Sequence, residues 1–185
     1  MKNIKLIICI LLSFIIAPVQ AAIILGNAKG SVTLVEVMSY SCAHCRAMAP
    51  IIESIEQKNP QLKIKLIPIT SDENGLIATT SSYALAKQNL SLFKQYHHKL
   101  LTESLSTLQI ENYLKSLPIN HAQFEQDRHA NWVLKEILLG INLLTVYQSG
   151  TPLFIVYPSN DPEYLQVFRG EVSIEQLQQA IKEAV

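Results

Sequence analysis

At 185 residues, 49% of them hydrophobic, the chain is long enough to close one compact domain around a sizeable core. Its 15 basic side chains are balanced by 15 acidic ones. That balance leaves no basic footprint for nucleic acid or for an anionic membrane surface.

In chain order, residues 1–21 read as an export leader. Lys2 and Lys5 supply a positive start, residues 6–17 form an almost unbroken apolar run, and Val19-Gln20-Ala21 has a small-x-small cleavage pattern. The run is shorter than the roughly 20 apolar residues of a membrane span. Cys9 lies inside the run rather than just after it, which argues against a lipoprotein. Cleavage after Ala21 removes Lys2 and Lys5, so fifteen basic residues become thirteen against fifteen acidic, and the mature chain is expected in the periplasm. It also leaves two cysteines, Cys42 and Cys45. Proteins that use disulfides as staples carry several that close longer loops. So short a ring constrains little of the unfolded chain, and its purpose is chemical.

Residues 31–38 (SVTLVEVM) are β-branched and apolar on both faces apart from one acid, the pattern of a central strand covered on both sides. After the cysteine pair comes a helical run with Met48, Ile51, Ile52 and Ile55 on one face. Residues 62–69 (LKIKLIPI) alternate apolar and charged side chains as a second strand, joined to the first by a right-handed crossover. From 71 to 147 the spacing turns helical, with stripes Leu90, Phe93, Leu100, Leu101 and Leu134, Ile137, Leu138, Ile141 expected to pack in the core. Three to five helices are predicted there. Residues 152–157 and 164–168 form a hairpin around a turn with Pro158, Asn160, Asp161 and Pro162. Ser173 and Gln176 make a capping box that starts a last helix, with Ile174, Leu177 and Ile181 on its apolar face. The predicted architecture is α/β, with 22–70 and 148–185 forming one domain and 71–147 a helical insertion.

Cys42 and Cys45 stand where a buried strand hands over to a helix. The first N–H groups of a helix lack partners, and the aligned peptide dipoles place partial positive charge there, so a thiolate at Cys42 is favoured. Residues three apart share a side of the helix, which puts the two sulfurs within reach of a bond. Cys45, further into the helix, is expected to be the more buried. His44 between them, when protonated, adds a second charge that favours thiolate. Ser41 is a candidate helix cap. Thr151-Pro152 opens a strand after Gly150, and Pro152 is a candidate cis proline that turns the Thr151 backbone toward the cysteines, ready for an extended substrate segment. Glu36, stranded among Leu34, Val35 and Val37, is costly to bury charged. A raised pKa suits it to relay a proton to or from Cys45.

The order of elements, the Cys42-Ala43-His44-Cys45 motif, Pro50 five residues after the second cysteine and the Thr151-Pro152 dipeptide resemble the thioredoxin superfamily. The long helical insertion and the leader resemble its DsbA-like branch. The resemblance implies a thioredoxin-like fold, Cys42 as nucleophile, Cys45 as resolving cysteine and Glu36 as the acid that the family keeps in its central strand. It implies no cofactor or metal beyond the Cys42–Cys45 disulfide. It also implies unfolded or reduced exported proteins as substrates, reoxidation by a quinone-linked membrane protein of the DsbB kind, and action as a monomer. Ala43 stands where the family's oxidases typically have proline. Thr151 stands where they have valine and where the isomerases have threonine. The direction of reaction therefore stays open between a dithiol oxidase and an isomerase or reductase. The isomerases carry an N-terminal dimerisation module, and about ten residues between Ala21 and the strand at 31–38 leave no room for one. A copper-binding protein using the two thiols and His44 is the reading from another class.

Overall fold

The computed structural model describes residues 22–70 and 72–185; the leader assigned to 1–21 lies outside the described residues. Five strands form one sheet: β1 (Ile23–Gly26), β2 (Val32–Met38), β3 (Leu62–Pro68), β4 (Leu153–Pro158) and β5 (Gln166–Arg169), in the order β1-β3-β2-β4-β5. β2 runs parallel to β3 and antiparallel to β4; β1 and β5 close the edges antiparallel. β2 is the central strand and every one of its residues is buried. This is why its sequence is apolar on both faces. β1 was not anticipated: four residues at a sheet edge carry too little pattern to separate them from a loop.

Helix α1 (Ala43–Lys58) follows β2 and buries Cys45, Met48, Ile52 and Ile55. Pro50 lies inside it, where it removes one N–H from the helical ladder. The stretch between β3 and β4 contains five helices: α2 (Glu73–Gln88), α3 (Leu90–Thr102), α4 (Thr107–Ser116), α5 (His121–Arg128) and α6 (Asn131–Val146). The last helix, α7 (Ile174–Glu183), starts at a complete capping box of Ser173 and Gln176 and packs against α1 and β4.

Two expectations about the helical stretch need correction. The stripe on α6 is largely outside the core: Ile137 is 7% exposed, but Leu134 is 50%, Leu138 55% and Ile141 38%. The helix instead turns Val133, Ile137 and Gly140 inward. A Cβ on Gly140 would lie 2.5 Å from Ile69 Cγ2 and 2.9 Å from Ile67 Cγ2, so the missing side chain is what lets α6 approach the sheet. Leucines around most of the helix left its inward face ambiguous in the sequence, and close approach at glycine decided it. For the same reason α6 lies directly on β2 and β3. In the other stripe Phe93, Leu100 and Leu101 are buried, while Leu90, the first residue of α3, is 42% exposed.

Side chains alternate across β2. Val37 faces α6, where it meets Gly140, and Glu36 faces the opposite layer, where it lines a cavity with Ala49 and Ile52 of α1. The sheet thus carries the acid into the layer beneath the cysteine helix.

Candidate functional site

Cys42 is itself the N-cap of α1, with extended backbone, and its sulfur accepts the N–H of Cys45 at 3.4 Å. Ser41, the expected cap, instead shares a hydrogen bond with the Ser39 hydroxyl at 3.0 Å. Both cysteines are free thiols, Cys42 half-buried and Cys45 1% exposed. Partial burial works against a Cys42 thiolate. Hydrogen bonds from the side chains of Thr151 and Cys45 and from the N–H groups of Cys45 and His44 outweigh it, and hold the Cys42 pKa below the ordinary thiol value. Burial pushes Cys45 up to about 12, and the neighbouring Cys42 adds to the effect against a partial offset from the Ser39 backbone. One sulfur is thus disposed to ionise and the other to keep its proton.

The Thr151–Pro152 peptide is cis. The Cys42 thiol donates to the Thr151 carbonyl at 3.2 Å, across 109 residues of sequence. The Pro152 carbonyl in turn accepts the N–H of Gly170 at 2.8 Å, which ties the end of β5 to the same corner. Gly170 adopts a φ of 75°, a left-handed conformation that suits glycine, and the next residue is Glu171. Its carboxylate accepts a hydrogen bond from His44 Nδ1 at 2.6 Å. That contact, with a smaller contribution from Cys42, raises the His44 pKa. Glu171 had no signal in the sequence, because 127 residues separate it from His44.

Glu36 is 5% exposed, set between Leu66 of β3 and Phe154 of β4, and burial raises its pKa to about 7. It lines a cavity of about 210 Å³ with Ala49, Ile52, Glu53, Lys94 and His97. Ala49 stands one turn beyond Cys45 on the same side of α1. Two polar contacts link α1 and α3 around this cavity, an ion pair of Lys94 with Glu56 at 2.7 Å and a hydrogen bond between His98 Nδ1 and Glu53 at 3.2 Å.

His97 and Tyr40 also escaped the sequence reading. His98 is exposed, whereas its neighbour His97 is half-buried. The Ser82 hydroxyl donates its proton to the Ala78 carbonyl, so it accepts from Tyr40 at 2.7 Å, and the Tyr40 oxygen accepts from His97 Nδ1 at 2.9 Å. Burial lowers the His97 pKa to about 4, with His98 adding to it, so the ring is neutral and its Nε2 is left bare. The signal that could have found Tyr40 was its place two residues before Cys42.

The structure therefore gathers Cys42, Cys45, His44, Thr151 and Pro152 at one corner, and sets Glu36 in the layer below. Among the described residues, no group of three or more His, Cys, Asp or Glu side chains is placed to hold a metal ion, and His44 turns its Nδ1 to Glu171.

A family model described as thioredoxin matches residues 19–183. Among solved structures, a thioredoxin-like oxidoreductase from Silicibacter pomeroyi DSS-3 is 24% identical, with a TM-score of 0.74 over 89% of this chain and 92% of that one. The thiol-disulfide exchange protein α-DsbA2 from Wolbachia pipientis is 21% identical, with a TM-score of 0.75 over 90% and 88%. A periplasmic thioredoxin-like protein from Salmonella enterica serovar Typhimurium is 19% identical, with a TM-score of 0.66 over 89% and 90%. No protein of curated function matches. With the match running through nearly the whole described chain, the protein belongs to the thioredoxin family and has the fold of DsbA-like thiol–disulfide oxidoreductases.

Proposed function

We propose that the protein is an exported dithiol oxidase that introduces disulfide bonds into periplasmic proteins. The observation that carries this is the position of Cys42, a helix N-cap whose sulfur is favoured as thiolate and stands 3.2 Å from the Thr151 carbonyl beside a cis proline. In the oxidised enzyme a substrate thiolate attacks Cys42 Sγ. A new sulfur–sulfur bond forms, the Cys42–Cys45 bond breaks, and its electron pair goes to Cys45. With its pKa near 12, Cys45 takes a proton, and Glu36, near 7, is the group matched to supply it. A second substrate thiolate then attacks the substrate sulfur of the mixed disulfide and expels Cys42 as thiolate, a good leaving group because its pKa is low. Two electrons have passed to the enzyme, and the substrate has gained a disulfide.

The Thr151 backbone offers an extended substrate segment a strand-like partner at the cysteines. The reoxidant is a quinone-linked membrane protein of the DsbB kind, which would take the electrons from the reduced pair. Export is supported by the leader pattern of residues 1–21 and by the description of the Salmonella relative as periplasmic.

The second reading is a reductase or isomerase, and the threonine before the cis proline favours it, because the family's isomerases carry threonine at that place. Two measurements separate the readings. The oxidised protein should restore activity to a reduced, unfolded disulfide protein, and trapping of free thiols in the periplasm should find the Cys42–Cys45 pair mostly oxidised. A mostly reduced pair in the cell would overturn the oxidase and favour the rival. In either reading Cys45→Ser should accumulate a substrate adduct on Cys42; an adduct at any other residue would remove Cys42 from its role.

A further inference from the structure

The His44 ring is held by more than a surface ion pair. Three contacts lock its partner to the redox corner: the Cys42 thiol to the Thr151 carbonyl, the Gly170 N–H to the Pro152 carbonyl, and the His44 Nδ1–H to the carboxylate that follows Gly170. The turn at Gly170, with its positive φ, directs the chain so that Glu171 reaches back across the cis-proline corner to the first turn of α1. We infer that Glu171 is a positioning residue of this redox site: it fixes the His44 ring beside the cysteine pair and holds a proton on it, which keeps a positive charge next to Cys42. The inference rests on the redox function proposed above and specifies how that site is regulated by pH.

The sign follows from the contacts. Among the described residues, two titratable groups bear on His44: Glu171, from the connection between β5 and α7, and Cys42, ahead of α1. The carboxylate favours the imidazolium, so the ring keeps its charge to higher pH than a free histidine. Where the ring is charged it favours the Cys42 thiolate, and a stabilised thiolate makes the disulfide more oxidising. The carboxylate's own charge opposes the thiolate. The His44 backbone N–H favours the Cys42 thiolate directly. Cys42 in turn raises the His44 pKa, so by reciprocity the charged ring favours the thiolate, as the smallest of the influences that act on the ring. Glu171 thus widens the pH range in which the cation is present, and below that range it only weakens the cation's effect. Both side chains are largely exposed, at 68% and 55%, so solvent keeps the effect small.

The test uses the full mature chain in its reduced form. The His44 ring is titrated by NMR and the Cys42 thiolate by ultraviolet absorbance, in wild type, Glu171→Gln and Glu171→Asp. In Glu171→Gln the His44 midpoint should move to lower pH. Between the two midpoints the thiolate population should fall by about two- to threefold relative to wild type. Below both midpoints the difference should vanish or reverse. Glu171→Asp should recover part of the shift. A loss of structure would change the thiolate in one sense at every pH and would overturn the inference, as would an unmoved His44 midpoint. A moved midpoint with an unchanged thiolate would overturn it too, because the pair would then not reach the sulfur. Wild-type oxidation of a reduced protein substrate, assayed alongside, separates the two claims. Its absence would sink the proposed function, whereas activity with an indifferent Glu171→Gln would sink this inference alone.

Discussion

Glu36 and His97 line one cavity, and burial moves their pKa values in opposite directions, with opposite effects on stability. Glu36 is raised from 4.5 to about 7, so the folded protein holds a proton there that the unfolded chain has lost. Its favourable contribution is complete below 4.5 and falls away as pH rises through 7. His97 is lowered from 6.5 to about 4, so the unfolded chain binds the extra proton between those values and stability rises with pH. Over the shared window the two slopes oppose each other. Glu36→Gln should therefore expose a rise in stability with pH through that window. At pH 8 it should make the protein more stable than wild type by about 3 kcal/mol, while slowing thiol exchange. His97→Gln should expose the fall instead. Urea unfolding at a series of pH values checks both, and parallel profiles for wild type and Glu36→Gln would show that the acid is not held as described.

At the scale of elements, α6 is the helix whose packing the residue pattern misrepresented. Its inward face is set by Gly140 against Ile67 and Ile69. Gly140→Leu should force the helix off the sheet and cost about 1–3 kcal/mol, as overpacking does. Ile137→Ala should cost about 2–5 kcal/mol as a buried truncation, whereas Leu138→Lys, at a position 55% exposed, should change stability by no more than about 0.5 kcal/mol. Equal costs for Ile137→Ala and Leu138→Lys would place the wrong face against the sheet. α1 was more legible: the spacing of Met48, Ile51, Ile52 and Ile55 identified its buried side, and Met48, Ile52 and Ile55 are in the core with Ile51 half-buried beside them. The difference is physical. α1 has one apolar stripe against a charged remainder, and α6 is apolar around much of its girth, so periodicity had little contrast to report.

For the molecule as a whole, the redox state of the cysteine pair is coupled to global stability. A Cys42 pKa held low in the fold means that the native dithiol releases a proton more readily than the unfolded chain. The stabilisation is complete above the unfolded thiol value and is lost as pH falls through the folded one. A disulfide between residues so close in sequence restrains little of the unfolded chain and offers small compensation. Cys45, raised to about 12, acts in the opposite sense above the ordinary thiol value, where the unfolded chain releases a proton that the fold retains. The gap in urea resistance in favour of the reduced protein should therefore be widest as pH approaches the ordinary thiol value, closing on acidification and again on further alkalinisation. A gap of the opposite sign would contradict a stabilised thiolate and the oxidising power inferred from it.

What the sequence by itself determined was local chemistry and order: a fully buried strand with one acid, a cysteine pair at a helix start, a proline after threonine at a strand start, and a capped last helix. Each depends on neighbours a few residues apart, where spacing and side-chain type already state the physics. The tertiary structure alone decided which distant groups meet. Glu171 reaches His44 because Gly170 is bonded to Pro152, and His97 enters the Glu36 cavity because α3 packs on α1 beside Tyr40. Such contacts arise from packing and chain reversal over a hundred or so residues, and they leave no periodic trace along the chain.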